Sequence, residues 1–276
     1  MNTISVPLPI VTVWWLKEYL DADNLVILDC TIAKVVNNPH PFASSVQIPK
    51  ARFFDLKEAF SDTDAPFPTT FPSEDKFNEE ARKLGINKDS AIITYDDKGI
   101  YSSARVYWMF KAMGHDNIAV LNGGLPEWIK MGYRTEIKKT YDGPIGNFEG
   151  AFNPTMVKFF NEVKEASSNK SHTIIDARSE NRFNSLEPEP RAGLRMGNIP
   201  NSVNLPYEDL LDGYKLQSPL HLKEKFTHLA KKEDPIIFSC GSGITACILA
   251  LGAELSGYKD ISVYDGSWTE WGTLVP

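Results

Sequence analysis

The same order of short sequence segments occurs twice along the chain, and this repeat limits the folds that the chain can adopt. Each copy has an apolar run closed by Asp, an Ile-Pro segment, a second apolar run and a Gly-x-x-x-Glu-Trp motif. The matching pairs are residues 25–29 with 173–176, 48–53 with 199–204, 91–96 with 235–240, and 122–128 with 265–271. Matched order and similar spacing favour a duplicated unit over one large domain. We therefore predict two domains, residues 8–135 and 153–276, joined by a polar, Gly- and Pro-containing linker over residues 136–152.

Short apolar runs alternate with helical patterns in both copies. Helical spacing is clear over residues 104–113, which precede Gly114, and residues 244–255 are apolar almost all round before Gly257. Strands that alternate with helices indicate a parallel sheet covered on both faces. The predicted fold class is α/β, with two tandem domains that each contain a mainly parallel sheet flanked by helices.

Composition and charge argue against several classes of function. The chain has 276 residues and a net charge of −7, which argues against binding to nucleic acid or to an anionic membrane. No apolar stretch approaches the roughly 20 residues that span a bilayer, and we expect no signal peptide. The three cysteines, Cys30, Cys240 and Cys247, form neither a disulfide framework nor a Cys-x-x-Cys metal motif. We therefore expect a cytoplasmic protein without a metal or another cofactor.

One cysteine lies where a strand turns directly into a helix. Residues 235–247 contain an apolar strand, Cys240, a glycine-rich turn and an apolar helix. Unpaired N–H groups at a helix start carry partial positive charge, so they favour a thiolate and can hold an anion. Gly241 and Gly243 let the backbone wrap closely around the sulfur. We therefore predict that Cys240 is a catalytic nucleophile, and not a buried structural cysteine.

In the first copy Asp96 stands at the position of Cys240. The loop over residues 96–101 reads Asp-Asp-Lys-Gly-Ile-Tyr and contains no nucleophile for sulfur chemistry. We therefore predict that only the second domain is catalytic and that the first domain forms a wall of the cleft.

The loop Cys-Gly-Ser-Gly-Ile-Thr-Ala at residues 240–246 resembles the persulfide-forming loop of the 3-mercaptopyruvate sulfurtransferases, in the rhodanese superfamily. Further segments are similar to that family in the same order, at residues 53–55, 123–128, 175–178, 182–183, 187–191, 197–200 and 264–271. The resemblance spans nearly the whole chain and implies two rhodanese-like domains. It also implies that sulfur passes from 3-mercaptopyruvate through a Cys240 persulfide to thioredoxin, another thiol or cyanide, and that pyruvate is released.

The resemblance also implies roles for individual residues. The catalytic set is Cys240, Ser242 and Asp55, and the substrate-binding set is Arg182, Arg191, Gly241, Gly243, Ile244 and Thr245. The planar guanidinium groups suit the donor carboxylate, while the Ser242 and Thr245 hydroxyls can hydrogen-bond the sulfur or relay a proton. Thr245 is also placed to cap a helix, and Asp55 matches an acidic residue across the interdomain cleft.

The sequence departs from the family pattern at two places that bear on the chemistry. Thr69 falls about where the family often has a His, so an acid–base role of such a His does not carry over to this chain. The usual His-Ile-Pro-Gly pattern ends in Lys50 in the first copy and in Asn201 in the second. Asn tolerates a left-handed backbone, whereas Lys tolerates it poorly.

Three other functions compete with this interpretation. A thiosulfate sulfurtransferase of the same fold is the main alternative, although its relatives carry basic residues where this loop has the neutral Gly241 and Ser242. A cysteine phosphatase on a related fold needs a longer loop that ends in Arg, which is absent here. A silent binding module is disfavoured by the intact loop after Cys240.

Overall fold

The computed structural model describes residues 2–32 and 45–276, which form two successive α/β units. The first unit contains strands β1 (Ile10–Val11), β2 (Leu25–Asp29), β3 (Val46–Gln47), β4 (Arg52–Phe53), β5 (Ala91–Tyr95), β6 (Ile118–Leu121) and β7 (Glu136–Ile137), with helices α1 (Val13–Glu18), α2 (Glu74–Lys83), α3 (Ser103–Ala112) and α4 (Gly124–Lys130). The second unit contains strands β8 (Val157–Lys158), β9 (Thr173–Asp176), β10 (Ser202–Asn204), β11 (Leu211–Asp212), β12 (Lys215–Leu216), β13 (Ile236–Ser239) and β14 (Ile261–Tyr264). Its helices are α5 (Phe160–Asn169), α6 (Glu180–Phe183), α7 (Pro219–Thr227), α8 (Ala246–Leu255) and α9 (Ser267–Leu274), with a 3₁₀ turn at Tyr207–Leu210. Among the helices in the described ranges, none is both long enough and apolar enough to cross a membrane.

Both units contain a five-stranded sheet with the same strand order. The order is β1-β6-β5-β2-β4 in the first unit and β8-β14-β13-β9-β10 in the second, so corresponding strands occupy the same places. The ladders of both sheets are parallel. Two short antiparallel ribbons, β3 with β7 and β11 with β12, lie outside these sheets. The predicted α/β class with two tandem, mainly parallel domains is confirmed.

The strands pack against apolar layers on both faces, because successive side chains of a strand point to opposite sides. In β2, Val26 and Leu28 belong to one core, while Ile27 belongs to another with residues of α1 and α4. The core that contains Val26 and Leu28 continues into the second unit, because α3 of the first unit packs against α8 of the second. The two units therefore share an apolar interface. Helix α8 is buried as predicted, although it begins at Ala246 and leaves residues 241–245 as a loop.

Residues 136–152, which we predict to be a linker, run along the first unit. The segment begins with β7, which pairs with β3. Farther on, Gly146 N donates to Arg82 O at 2.8 Å and Phe148 N donates to Ile86 O at 3.0 Å. Backbone hydrogen bonds therefore hold the connecting segment against α2 and the turn after it.

The residue after each Ile-Pro pair has a left-handed backbone, with φ of 68° at Lys50 and 62° at Asn201. This conformation is costly for lysine, and polar contacts on both ends of the residue hold it. Lys50 N donates to Glu136 Oε1 at 3.0 Å, and Lys50 Nζ donates to Asp21 Oδ1 at 2.5 Å. The first unit therefore keeps the backbone shape of the repeat without the glycine that usually provides it.

Candidate active site

Cys240 directly follows β13, the middle strand of the second sheet, at the carboxyl end where α/β sheets bind ligands. The residue is only 1% exposed and lines a cavity of about 280 Å³. The predicted site residues that line the same cavity are Arg182, Arg191, Gly241, Ser242, Ile244 and Thr245. Segments separated by about fifty residues in sequence therefore meet around one sulfur atom.

The loop after Cys240 leaves several backbone N–H groups free. Within the described ranges, the N–H groups of residues 241, 242, 244 and 245 donate to no protein acceptor. They remain available to an atom bound beyond Sγ, and four such donors suit an anionic group.

The hydroxyl of Ser267, the first residue of α9, contacts the sulfur. The residue is fully buried, has a φ of 50°, and places its Oγ 3.8 Å from Cys240 Sγ. This oxygen accepts hydrogen bonds from Cys240 N and Gly243 N, both at 3.1 Å, and lies 2.9 Å from Tyr264 O. Because a hydroxyl has a single hydrogen, that proton turns either to Tyr264 O or to the sulfur. Ser267 is not among the site residues predicted from the sequence, although it lies in a segment that carries the resemblance.

Glu189 holds Arg182 at the edge of the cavity. Its Oε2 accepts from Arg182 Nη2 at 2.6 Å, and its Oε1 accepts from Arg178 Nη1 at 2.7 Å. Arg178 is buried and also pairs with Asp176 at 2.7 Å. Glu189 therefore orients two guanidinium groups, a function that the sequence pattern Glu-Pro-Glu-Pro did not reveal.

Arg191 is the arginine of this group that has no carboxylate partner in the part of the chain that the structure describes. It is half-buried, and burial together with the like charge of Arg182 lowers the pKa of its guanidinium. A Cβ placed on Gly241 would lie 3.1 Å from Arg182 Nη2 and 3.8 Å from Arg191 Nη1. Both cations therefore face the space above the loop, where an anionic ligand would supply the missing partner of Arg191.

The first unit contributes Tyr101 to the cavity wall. This residue follows Asp96 by five positions, as Thr245 follows Cys240. Its ring meets the Tyr207 ring edge-on, with centroids 6.2 Å apart. Burial, followed by the nearby Cys240, raises the pKa of Tyr101 to about 12. The phenol is therefore a neutral donor near the sulfur, and sequence reasoning did not identify it.

The Asp96 carboxylate fills the equivalent loop of the first unit. Oδ2 accepts from the N–H groups of Tyr101 and Ser103 at 2.8 and 2.9 Å, and Oδ1 accepts from Lys98 N at 2.9 Å. Asp96 thus occupies the N–H groups at the positions equivalent to 242 and 245, which stay free around Cys240. This loop also has no thiol.

Two predicted site residues lie outside the cavity. Asp55 Oδ1 accepts from Lys57 N at 3.2 Å and from Glu58 N at 3.1 Å, so the contacts of Asp55 are those of a turn residue. Its catalytic role stays a prediction. Gly243 faces Asp265 from within the loop. Its φ is 73°, and a Cβ on this residue would stand 2.5 Å from Asp265 O. Gly243 therefore permits the close approach of the loop to Asp265 and does not line the donor space.

The other two thiols are buried and differ from Cys240 in their surroundings. Burial raises the pKa of Cys30 well above its ordinary value and that of Cys247 to about 12. Cys247 Sγ lies 3.3 Å from Gly243 O on the inner side of α8. Neither thiol lines the cavity.

Comparison with known proteins agrees with this arrangement. The rhodanese-like domain family matches residues 12–131 and again residues 160–274. The chain is 38% identical over 297 residues to "Thiosulfate/3-mercaptopyruvate sulfurtransferase 1, mitochondrial" of Arabidopsis thaliana, covering 99% of this chain and 78% of the relative. It is 35% identical over 274 residues to the Homo sapiens 3-mercaptopyruvate sulfurtransferase, covering 95% and 91%. The crystal structure of SseA from Escherichia coli, described as a 3-mercaptopyruvate sulfotransferase, superposes with a TM-score of 0.83 at 32% identity over 95% of this chain and 99% of SseA.

Proposed function

Because the chain belongs to the rhodanese-like domain family, we propose that it transfers the sulfur of 3-mercaptopyruvate to an acceptor through a persulfide on Cys240. The observation that carries the proposal is the cavity itself. Among the residues that the structure describes, it combines one thiol, four free N–H groups and an arginine with no carboxylate partner. Such a site can bind a small carboxylate that carries a sulfur atom and can hold that sulfur after transfer.

In the first half-reaction the Cys240 thiolate attacks the donor sulfur. An S–S bond forms as the C–S bond of 3-mercaptopyruvate breaks, and the bonding electrons stay on carbon as the pyruvate enolate. The enolate takes up one proton to give pyruvate. Ser242, Thr245 and the neutral phenol of Tyr101 line the cavity as hydroxyl donors for this proton.

Arg191 supports binding of the donor carboxylate, and Arg182 faces the same space. Two hydrogen bonds from a planar guanidinium fix both the position and the orientation of a carboxylate. With the carboxylate held by an arginine, the donor sulfur can reach Cys240. The terminal sulfur of the resulting persulfide then lies beyond Sγ, where the free N–H groups of the loop stabilise its charge.

In the second half-reaction an acceptor nucleophile attacks the terminal sulfur and restores the Cys240 thiolate. A thiol such as that of thioredoxin, or cyanide, is the acceptor class that we propose. A cytoplasmic location also remains a proposal, supported by the three unpaired cysteines.

Thiosulfate is the second candidate donor. The loop after Cys240 has no cation of its own, which disfavours thiosulfate. However, Arg182 Nη2 and Arg191 Nη1 lie close to Gly241. A dianion near Cys240 would therefore meet positive charge from outside the loop. This proximity favours keeping thiosulfate as an alternative, and the Arabidopsis relative carries both donors in its name.

The test uses purified protein and both donors. With 3-mercaptopyruvate we expect pyruvate release, one added sulfur on the intact protein by mass spectrometry, and a larger kcat/KM than with thiosulfate. Cys240→Ser should abolish pyruvate release and the added sulfur. If the protein turns over thiosulfate faster than 3-mercaptopyruvate, the thiosulfate assignment replaces this one.

A further inference from the structure

A segment of the first unit reaches across the interface to the loop that follows Cys240. Within this segment Thr69 is only 8% exposed. Its Oγ1 lies 2.9 Å from the carbonyl oxygen of Ser242 and 2.6 Å from that of Pro68, so its single hydrogen is shared between these two acceptors. Thr69 is thus a side chain of the first unit that hydrogen-bonds the loop around Cys240.

The backbone of Thr69 is held in an unfavourable conformation. Its φ is 60°, in the left-handed region that β-branched residues avoid. Arg105 Nη2 donates to Thr69 O at 3.1 Å and to Asp265 Oδ1 at 2.5 Å, while Asp265 Oδ2 accepts from Phe71 N at 2.8 Å. Because Arg105 and Asp265 are almost fully buried, this ion pair clamps the segment at the carbonyl of Thr69 and at the N–H of Phe71. Backbone strain that persists under such constraints is typical of functional positions.

The Thr69 hydroxyl stands at one end of a hydrogen-bond chain that leads to the sulfur. The carbonyl of Ser242 and the N–H of Gly243 belong to the same peptide unit. That N–H donates to Ser267 Oγ at 3.1 Å, and Ser267 Oγ lies 3.8 Å from Cys240 Sγ. A hydrogen bond to the carbonyl polarises the peptide and strengthens the donor on its other side. Losing the Thr69 contact therefore changes both the position and the polarity of the group that contacts the sulfur.

We infer that Thr69 is a positioning residue that the non-catalytic unit supplies to the reaction. It fixes the Ser242–Gly243 peptide, and through it the Ser267 hydroxyl, relative to the nucleophile. The inference rests on the proposed function of Cys240. It assigns Thr69 no proton transfer, because its hydroxyl faces the backbone carbonyl of Ser242 and makes no contact with the sulfur.

The experiment compares Thr69→Val, which removes the hydroxyl and keeps the shape, with Thr69→Ser, which keeps the hydroxyl. Thr70→Val is the matched control, because the Thr70 hydroxyl donates to Phe67 O at 2.8 Å within the same segment. The readouts are kcat and KM for 3-mercaptopyruvate and the rate of Cys240 alkylation by iodoacetamide near neutral pH, followed by peptide mass spectrometry. Circular dichroism melting checks the folding of each variant.

For Thr69→Val we expect kcat and the alkylation rate to fall by about threefold to tenfold, the range for one lost hydrogen bond. KM should stay within about twofold, because the arginines that bind the donor are untouched. Thr69→Ser should restore both rates, and Thr70→Val should leave both unchanged. If Thr69→Val fails to fold, Thr69→Ala takes its place.

The inference is overturned if Thr69→Val leaves kcat and alkylation at the wild-type level, if Thr69→Ser is as impaired as Thr69→Val, or if Thr70→Val has the same effect. The alkylation rate also separates this inference from the proposed function. A wild-type protein that releases no pyruvate would refute 3-mercaptopyruvate as the donor, while the alkylation rates of the wild type and the Thr69 variants would still report whether Thr69 positions the loop.

Discussion

Arg191 offers the sharpest test of how the site binds its donor. Within the described residues it lacks a carboxylate partner, it is half-buried, and its Nη1 faces the space above Gly241. If the donor carboxylate is its partner, Arg191→Ala removes a charge-assisted interaction. Such interactions contribute about 1.5–3 kcal/mol. At about 1.36 kcal/mol for each factor of ten, kcat/KM should fall by between about tenfold and somewhat more than a hundredfold.

The loss should appear mainly in KM. The carboxylate is remote from the bond that breaks, so Arg191 contacts it similarly in the bound donor and in the transition state, and such uniform binding affects KM more than kcat. Arg191→Lys keeps the charge but loses the planar fork, so its kcat/KM should fall between those of the wild type and the alanine variant. Thr69→Val should behave in the opposite way, with a change in kcat and little change in KM.

The assay is pyruvate release at varied 3-mercaptopyruvate concentration. The matched control is Arg134→Ala, because Arg134 is an exposed arginine that does not line the cavity. The control should retain kcat/KM within about twofold of the wild type. An Arg191→Ala protein that matches this control would show that Arg191 is a solvated surface charge, and the carboxylate-binding argument would be wrong.

Three further predictions concern the thiols, the loop and acid stability. Iodoacetamide should modify Cys240 much faster than Cys247, whose pKa is raised to about 12 by burial; equal modification by peptide mass spectrometry would contradict this. Gly241→Arg combined with Ser242→Lys should raise the ratio of kcat/KM for thiosulfate to kcat/KM for 3-mercaptopyruvate. The added cations near the sulfur favour the dianion, and a side chain at 241 crowds Arg182, whose Nη2 would lie 3.1 Å from the new Cβ. An unchanged ratio would show that loop charge does not select the donor. Burial lowers the pKa of His115 from 6.5 in the folded protein. As the pH falls, the unfolded chain therefore binds this proton before the folded protein does. Below about pH 6.5 the free energy of unfolding should decrease by at most about 1.4 kcal/mol per pH unit. Urea unfolding of wild type and His115→Asn at about pH 7.5 and about pH 5.5 measures this, and an equal pH dependence in both would refute it.

The sequence allowed the fold to be predicted because its signals are local and occur twice. Short apolar runs that alternate with helical patterns specify parallel α/β units, and the repeated order predicts two of them. The position of Cys240 at the end of a strand followed from the same pattern, since a strand that turns directly into a helix must present the intervening residue at the end of the sheet. That this strand is the middle one of its sheet came from the structure. Arg182 and Arg191 came from motif resemblance and not from any local physical signal.

Other parts of the site depend on contacts between residues far apart in the chain. Tyr101 enters the cavity from the first unit, and Ser267 approaches the sulfur from 27 residues away. For Asp55 the family motif predicts a catalytic role, but the contacts of its carboxylate are with the turn that follows it. Sequence periodicity and local spacing do not predict the positions of these side chains, since the positions depend on how α3 packs against α8 and on where each loop ends.

The amino-acid sequence by itself therefore determined the two units, the strand that delivers the nucleophile and the loss of that nucleophile in the first copy. The sequence also predicted that the first unit forms a wall of the cleft, but only the tertiary structure decided which of its residues complete the site. Thr69 and Ser242, which are 173 positions apart in the sequence, are brought together by the shared core and by the buried pair of Arg105 and Asp265. A backbone as strained as that of Thr69 is stable only when surrounding contacts hold it, and its contacts with Ser242 and, through Arg105, with Asp265 exist only after the two units have packed.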